Sequence, residues 1–366
     1  MPLPRFHSLT VCRVEAEAAG AIAVTFQVPS DLRHRFVFLP GQFLTLQATI
    51  GGHQVRRSYS ICSTLSIYRA RAELSIGIRP MQDGVFSTWA ARAIRAGDNL
   101  SVMPPEGRFV SDRPKALHRV GFAAGSGITP ILSVMATALE EQPEAKFTLV
   151  YGNRSMASVM FNEALQDLKD RFANRLTLIH ILSRQAQEVD LLQGRIDAPK
   201  VQALIKTLLP AKSMDEVFIC GPQAMIESTE AALLAAGVPP RNIHTERFSS
   251  PTLDALPADQ RRLAAQSRAP LMTGAVSLTV TLDGKNHHLQ MGQDEHVLDV
   301  ALAAGLDLPY SCKAGVCCTC RAKVTSGTVH MDKNFTLESW EVAKGFVLTC
   351  QARPTADNIA VNFDER

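Results

Sequence analysis

The chain of 366 residues lacks any run of 18 apolar residues and has no secretory hydrophobic segment over Met1–Thr10. The first absence argues against a membrane-spanning helix, and the second argues against export. It also lacks internal repeats and low-complexity tracts. Because its length exceeds what one core of ordinary size holds, we expect two or three domains in a soluble, cytoplasmic protein.

A strong charge of one sign is also missing, since the formal net charge is only +3. From Ala275 onward eight Lys and Arg face eleven Asp and Glu, whereas the preceding part has a net charge of +6. This difference fits electrostatic docking between electron-transfer partners, although ordinary solvated surfaces explain it equally well. We expect neither a nucleic acid nor a membrane as partner.

Partners for a zinc site are lacking, because no second Cys-x2-Cys pair follows Cys320. What is present is Cys-x4-Cys-x2-Cys at Cys312, Cys317 and Cys320, with a distant Cys350, which is the plant-type [2Fe-2S] spacing. Gly315 permits the sharp turn that three ligands from one loop require. Zinc, disulfides and plain buried cysteines remain alternatives.

The remaining cysteines are interpreted as spectators. Cys318 lies in the same loop but off the ligand spacing, and Cys12 and Cys62 are isolated. The apolar run Phe346–Thr349 predicts the strand that brings Cys350 to the loop.

Four regions follow one another along the chain. Residues 1–112 carry short β-patterned runs and predict a β-barrel or sandwich, and 113–248 alternate strands with helices as in a parallel α/β nucleotide-binding domain. Residues 249–274 lose apolar periodicity and predict a linker. Residues 275–366 open with a hairpin around Asp283-Gly284.

Two short segments of the first region resemble the flavin motifs of the ferredoxin-NADP reductase family. In the first segment the resemblance implies that an arginine pairs with a flavin phosphate, a tyrosine ring stacks on the flavin, and a serine reaches N5. In the second, which precedes a helix expected at Trp89, backbone N–H groups face the pyrophosphate. Taken singly, each segment suits a plain strand end or helix cap equally well. The residues are Arg57, Ser58, Tyr59 and Ser60, then Gly84, Val85, Phe86, Ser87 and Thr88.

A glycine-rich loop opens the α/β region after an apolar strand, where a diphosphate meets free N–H groups and a helix N-terminus. Proline replaces the third glycine of G-x-G-x-x-G, as in the same family. A later Cys-Gly-Pro segment resembles the family's nicotinamide segment, and with Tyr59 and Ser60 its cysteine is the implied catalytic group. The residues are Gly125, Ser126, Gly127, Thr129 and Pro130, then Cys220, Gly221 and Pro222.

Coenzyme preference is read at the end of the second strand, Tyr151–Arg154, where no carboxylate is present for a ribose 2'-hydroxyl. Arg154, Ser183 and Arg184 suit a 2'-phosphate, so we expect NADPH, with NADH as the alternative. The resemblance further implies that Glu246 and Phe248 lie against the flavin.

Nearly the whole chain is similar to a ferredoxin-NADP reductase fused to a carboxy-terminal plant-type ferredoxin. This implies an antiparallel β-barrel for FAD, a parallel α/β domain for NADP and an α+β (β-grasp) ferredoxin domain. Electrons would pass from NADPH through FAD and the [2Fe-2S] cluster to the di-iron subunits of a multicomponent oxygenase. Four segments resemble reductase subunits of complexes that act on phenylacetyl-CoA in phenylacetate catabolism, namely Arg5–Val11, Arg56–Ser63, Met103–Phe109 and Glu246–Phe248.

Several electron acceptors are compatible with this sequence. The chain has no pair of Glu-x-x-His motifs, so the oxygen chemistry would belong to another subunit. The same architecture also serves other oxygenases, such as steroid hydroxylases, and hybrid-cluster proteins. A redox sensor that has lost turnover is a further alternative, against which the complete flavin and nucleotide motifs argue.

Overall fold

The structure is a computed structural model that describes residues 5–113, 115–248 and 275–365. The predicted linker at 249–274 lies outside the described residues. The described chain divides into two compact units. One comprises Ser8–Leu44 and Tyr59–Phe248; the other comprises Thr45–Ser58 with the described parts of 1–7 and 249–366.

The first sheet has six strands in the order β4-β3-β6-β1-β2-β5. β2 pairs antiparallel with both β1 and β5, and Ile22 lies opposite Ala16 on one side and Ile78 on the other. Two helices accompany this sheet, α1 (Leu65–Arg71) and α2 (Val85–Ala93). The strands are β1 (His7–Ala16), β2 (Ile22–Gln27), β3 (Phe43–Ile50), β4 (His53–Ser60), β5 (Glu73–Ile78) and β6 (Asn99–Val102).

The helix expected at Trp89 begins four residues earlier, at Val85. Gly84 is its N-cap residue, so Val85, Phe86 and Ser87 form the first helical turn rather than a loop before it. The expectation missed this start because glycine and serine are typical of loops. A glycine can also be the N-cap residue of a helix, as Gly84 is here.

The second sheet is parallel, in the order β11-β10-β7-β8-β9. The predicted alternation of strands and helices is confirmed. The helix after β8 begins at Asn162, because Phe161 before it has a left-handed φ of 58°. The strands are β7 (His118–Ala124), β8 (Lys146–Asn153), β9 (Leu176–Leu182), β10 (Glu216–Gly221) and β11 (Ile243–Arg247). The helices are α3 (Ile128–Glu141), α4 (Asn162–Arg171), α5 (Ala198–Thr207) and α6 (Gln223–Ala235).

The unit that contains 275–365 has its own core around a five-stranded sheet in the order β13-β12-β18-β14-β16. The predicted hairpin is confirmed: β12 and β13 pair antiparallel across Asp283 and Gly284, both with positive φ. A small sheet joins β15 to β17. The elements are β12 (Val276–Leu282), β13 (Lys285–Met291), α7 (Val297–Ala303), β14 (Arg321–Ser326), β15 (Val329–Met331), α8 (Ser339–Ala343), β16 (Phe346–Leu348), β17 (Ala352–Pro354) and β18 (Asn358–Asn362).

Over the described ranges, no helix is both long enough and apolar enough to cross a membrane.

Candidate functional site

Four cysteine side chains converge in the unit that contains 275–365, and none is more than 8% exposed: Cys312, Cys317, Cys320 and Cys350. The thiols of Cys312 and Cys317 share a hydrogen bond that lowers the pKa of Cys312 and raises the pKa of Cys317. A hydrogen bond between the thiols of Cys320 and Cys350 raises the pKa of Cys320. Four converging soft ligands with this spacing suit a [2Fe-2S] cluster.

The loop that carries these ligands turns through left-handed backbone conformations at Lys313 (φ 49°), Gly315 (φ 77°) and Cys318 (φ 58°). A Cβ at Gly315 would lie 3.0 Å from the carbonyl oxygen of Lys333, so both this tight contact and the positive φ favour glycine there. The Sγ of Cys318 instead lies 3.3 Å from the Thr336 hydroxyl, as expected of a spectator.

A second group of predicted site residues meets in the other unit. Ser60 donates a hydrogen bond of 3.1 Å to the Glu246 carboxylate, although 186 positions separate them in sequence. Cys220 on β10 lies opposite Glu246 on β11 in the parallel register, and it is fully buried. Burial raises the pKa of Glu246 to about 8, and burial with the nearby Glu246 raises the pKa of the Cys220 thiol. The fold therefore places a hydroxyl, a thiol and a carboxyl group side by side.

Tyr59 lies next to Ser60 on β4, and its ring packs against that of Phe86 in α2 at a centroid distance of 5.7 Å. Ser87 is 8% exposed, and its hydroxyl accepts a hydrogen bond from the backbone N–H of Met81 at 3.2 Å. These contacts bring the two sequence segments of the predicted flavin site together. Phe248 is 41% exposed.

Arg57 and Ser58, the first two residues of the predicted flavin segment on β4, belong to the unit that contains the cysteines. Arg57 donates a hydrogen bond of 2.7 Å to the carbonyl of Arg56. The Ser58 hydroxyl lies 3.2 Å from that of Thr45 and 2.6 Å from that of Ser311.

The glycine-rich loop forms a 3₁₀ turn over Gly125–Gly127 and leads directly into α3. A Cβ at Gly127 would lie 2.1 Å from the carbonyl oxygen of Cys220, so the loop touches the end of β10. Thr129 closes the turn by donating to the Ser126 carbonyl at 3.0 Å, while Pro130 lies in the first turn of α3. Two predicted nucleotide segments, the loop and Cys220-Gly221-Pro222, are therefore in direct contact.

The expected 2'-phosphate residues also meet. The backbone N–H of Arg184 donates to the carbonyl of Arg154 at 2.8 Å, and that of Ser183 donates to Asn153 at 2.9 Å. Arg154, Ser183 and Arg184 are all exposed. Beside them lies a cavity of about 470 Å³, lined by residues that include Met156, Leu178, His180, Leu182, Gln185 and Leu208.

Sequence reasoning missed Arg79, which follows β5. A Cβ at Gly125 would lie 3.0 Å from its guanidinium nitrogen, so this positive charge lies beside the glycine-rich loop. The signal in the sequence was the position of Arg79, a basic residue at the end of the β-patterned run Glu73–Arg79 and five residues before Gly84.

A further group of Asp112, Glu216 and His244 places potential metal-binding atoms within 4.8 Å of one another. Glu216 already pairs with the buried Arg119 at 2.8 Å, and His244 Nε2 lies 3.3 Å from its second oxygen. These two contacts and the hydrogen bond from Ser111 hold the pKa of Glu216 below its usual range against the cost of burial. Because Arg119 balances this carboxylate, the group is a structural ion pair that joins β7 to β10.

Comparisons with known families account for three stretches of the chain. Residues 9–110 match the oxidoreductase FAD-binding domain, 122–231 match the oxidoreductase NAD-binding domain, and 280–355 match the 2Fe-2S iron-sulfur cluster binding domain. The described residues fit these groups, with four converging thiols for the cluster and a glycine loop at a helix N-terminus for the nucleotide. The chain belongs to the family of flavin- and [2Fe-2S]-containing reductases, and it is an NAD(P)H-dependent oxidoreductase.

Two relatives make the assignment more particular. The chain is 44% identical over 365 residues to a subunit of the 1,2-phenylacetyl-CoA epoxidase of Escherichia coli (strain K12), covering 99% of this chain and 98% of that protein. It is 35% identical to the ferredoxin reductase component of 3-ketosteroid-9-alpha-monooxygenase from Rhodococcus rhodochrous, covering 97% and 96%. The family is therefore that of oxygenase reductase components, and the expected resemblance to the phenylacetyl-CoA epoxidase complex is confirmed.

Solved structures show the same fold. A phthalate dioxygenase reductase, described as a modular structure for electron transfer from pyridine nucleotides to [2Fe-2S], matches with a TM-score of 0.58 over 98% of both chains at 20% identity. A flavohem-like FAD/NAD-binding domain of nitric oxide dioxygenase from Vibrio cholerae matches 67% of this chain and all of that one, with a TM-score of 0.57 and 22% identity. The predicted three-part fold class is confirmed.

Proposed function

We propose that this chain takes hydride from NADPH and delivers single electrons to the di-iron subunits of an oxygenase that acts on phenylacetyl-CoA. The observation that carries the proposal is the 44% identity to the phenylacetyl-CoA epoxidase relative over nearly the whole length of both proteins. We also infer a cytoplasmic location, which suits eight cysteines that are all free. The domain boundaries at 112, 248 and 274 remain predictions.

When bound, FAD supplies the change from two-electron to one-electron transfer, and the cluster carries one electron at a time. In this proposal the chain's own residues orient and shield these groups. Tyr59 offers a ring face for the flavin, and Ser60 offers a hydroxyl already aligned by Glu246. Burial keeps the Cys220 thiol protonated, so it contacts the nicotinamide as a neutral group.

The pyrophosphates would bind where positive partial charge collects. Gly125–Thr129 presents backbone N–H groups at the start of α3, with Arg79 beside them. Gly84–Thr88 does the same at the start of α2, and Arg57 adds a guanidinium. Cys312, Cys317, Cys320 and Cys350 would hold the cluster.

A second candidate acceptor is the oxygenase of steroid hydroxylation, favoured by the 35% identity to the ketosteroid monooxygenase reductases. Electron delivery to purified oxygenase components of each type separates the two candidates, and a hybrid-cluster protein provides the non-oxygenase comparison.

The first test is an anaerobic titration with NADPH and then NADH, followed by visible absorption and low-temperature electron paramagnetic resonance. We expect flavin bleaching together with a rhombic [2Fe-2S] signal. Cys317→Ser should lose the cluster signal and cytochrome c reduction while NADPH still bleaches the flavin. Cys318→Ser is the matched control, because this thiol bonds to Thr336, and it should behave like the wild type. Bleaching without the cluster signal in the wild type would contradict the proposal.

The preference for NADPH is tested with Arg184→Ala. Because an arginine matches phosphate geometry, its loss should raise KM for NADPH by about tenfold and leave KM for NADH nearly unchanged. Arg171→Ala is the control, since Arg171 is an exposed arginine of the same region that pairs with Glu140. Equal effects on both coenzymes would rule out a phosphate role for Arg184.

A further inference from the structure

Arg56 is a buried arginine that no cofactor motif uses. Its side chain is only 5% exposed. Its three nitrogens donate to Gln47 Oε1 at 2.7 Å, to the Leu308 carbonyl at 3.0 Å and to Asp307 Oδ1 at 3.0 Å. All of these residues belong to the unit that contains the cluster cysteines.

Two aromatic rings complete the surroundings of Arg56. Its guanidinium carbon lies 4.4 Å from the ring centroid of Tyr310 and 4.7 Å from that of Phe6. A planar guanidinium can bond at its edge and pack against rings with its faces at the same time. We call Arg56, Gln47, Phe6, Asp307, Leu308 and Tyr310 the Arg56 clamp. Asp307 is 89% exposed and contributes little by its charge, so the buried carbonyl bond and the rings dominate.

The Arg56 clamp contacts a segment without helix or strand, which is otherwise held by the burial of Leu308 in the core of the unit. Residues 306–310 form neither helix nor strand, and they lead directly to the first cluster cysteine, Cys312. The next residue, Ser311, is 2% exposed and lies 2.6 Å from the Ser58 hydroxyl. Ser58 precedes Tyr59 in sequence, and Ser311 precedes Cys312. These side-chain contacts with residues 45–58 therefore help to hold the segment that leads into the cluster loop.

We propose that Arg56 is a positioning residue that fixes the segment 306–311 on residues 45–58 of the same unit, and so holds the first cluster ligand, Cys312, where electron transfer through the cluster requires it. The proposal rests on the proposed function, because it requires both redox groups. Each transfer moves one electron from the flavin, reduced by NADPH, to the cluster. Arg56 positions the segment before the cluster loop and exchanges no electron or proton itself.

The test compares the wild type with Arg56→Ala in the full, cofactor-loaded chain. NADPH-dependent reduction of ferricyanide, which accepts electrons from the flavin, should stay within about twofold of the wild type. Reduction of cytochrome c through the cluster should fall by about tenfold or more, as the productive arrangement loses population. Hydrogen exchange of 306–311 should become faster. Arg13→Ala is the control. Arg13 is an exposed arginine of β1 that pairs with Glu15 and Glu73, so all three measurements should match the wild type.

Two further variants test the same contacts with smaller changes than Arg56→Ala. Arg56→Lys keeps the charge but not the planar fork, and we expect a cytochrome c rate between those of the wild type and Arg56→Ala. If Arg56→Ala fails to retain flavin, Tyr310→Leu removes one ring only and should still slow cytochrome c reduction with normal ferricyanide reduction.

The proposal is overturned if hydrogen exchange of 306–311 is unchanged in Arg56→Ala, or if it accelerates while cytochrome c reduction keeps the wild-type rate. Failure of the proposed function has a different signature, in which the wild type itself does not reduce ferricyanide with NADPH. In that case the exchange measurement alone still decides whether Arg56 holds the segment.

Discussion

Glu246 is a carboxylic acid in surroundings very different from water. Its carboxyl group is partly buried and accepts a hydrogen bond from Ser60, and burial raises its pKa to about 8. At neutral pH this group is therefore mostly protonated. A neutral carboxyl group next to a buried thiol leaves the interior of the site without a fixed negative charge, which suits the approach of electron-rich groups.

The raised pKa has a definite effect on stability. Because the folded-state value exceeds the ordinary value of 4.5, folding is favoured while the carboxyl is protonated, and this contribution is lost as pH rises from about 4.5 through about 8. Glu246→Gln cannot ionise. We expect it to match the wild type near pH 5 and to be more stable by about 1–3 kcal/mol at pH 9.

Thermal unfolding at matched flavin content over pH 5–9 measures this difference. Glu140→Gln is the control for the loss of a carboxylate, because Glu140 also accepts a hydrogen bond from a serine, Ser66. If Glu246→Gln and the wild type have parallel pH profiles, Glu246 is ionised in the folded protein.

At the scale of single residues, the sequence predicts those groups whose partners lie within one motif. Cys312, Cys317 and Cys320 are recognised by spacing alone, because one loop supplies them. The bond from Ser60 to Glu246 and the contact of Arg56 with Leu308 join positions 186 and 252 residues apart. No local pattern encodes such pairs, and only the resemblance suggested a role for Glu246.

At the scale of elements, the close contact between the glycine-rich loop and β10 is the sharpest constraint. Gly127 has an ordinary φ of −63°, so conformation does not require glycine there. The requirement comes from space, since an added Cβ would lie 2.1 Å from the Cys220 carbonyl oxygen. The start of α3 and the end of β10 therefore lie too close together for a side chain at position 127.

Gly127→Ala should therefore push α3 away from β10. We expect a loss of about 1–3 kcal/mol in the free energy of unfolding, by the usual cost of overpacking, and a higher KM for NADPH. Denaturant unfolding and steady-state kinetics measure the two effects. Gly292→Ala is the matched control, because its added Cβ would come no closer than 3.4 Å to Glu295. Unchanged stability in Gly127→Ala would mean that the loop has room to move.

The elements that sequence predicted well have long apolar runs. β7, β8 and β10 are buried on both faces and appear in sequence as continuous apolar segments. β1 is harder to recognise in the sequence, because only Leu9 and Val11 of its ten residues are buried. The same holds for β11, since none of its residues is fully buried.

At the scale of the whole molecule, the chain combines parts that occur separately elsewhere. A solved FAD/NAD-binding domain without a ferredoxin part covers 67% of this chain and the whole of its own. We therefore expect a shortened chain of residues 1–248 to fold, bind FAD and reduce ferricyanide with NADPH, with cytochrome c reduction lost.

Absorption spectra and the two acceptor assays check this expectation. The full chain with Cys317→Ser is the comparison, because it also lacks an intact cluster site but keeps residues 275–366. If residues 1–248 retain no flavin while Cys317→Ser does, the flavin site depends on the carboxy-terminal part, and the predicted boundary at 248 is wrong.

The thiols of the whole chain have a consequence for its behaviour in air. Burial raises the pKa of Cys62 and Cys220, and all eight cysteines are free, with Cys12 the exposed one. Only thiolates react readily with peroxide or alkylating reagents. The raised pKa thus makes the buried Cys220 thiol resistant to sulfenic acid formation. Burial of its thiol also raises the pKa of Cys12, so alkylation of this exposed residue with a spectroscopic label requires alkaline pH.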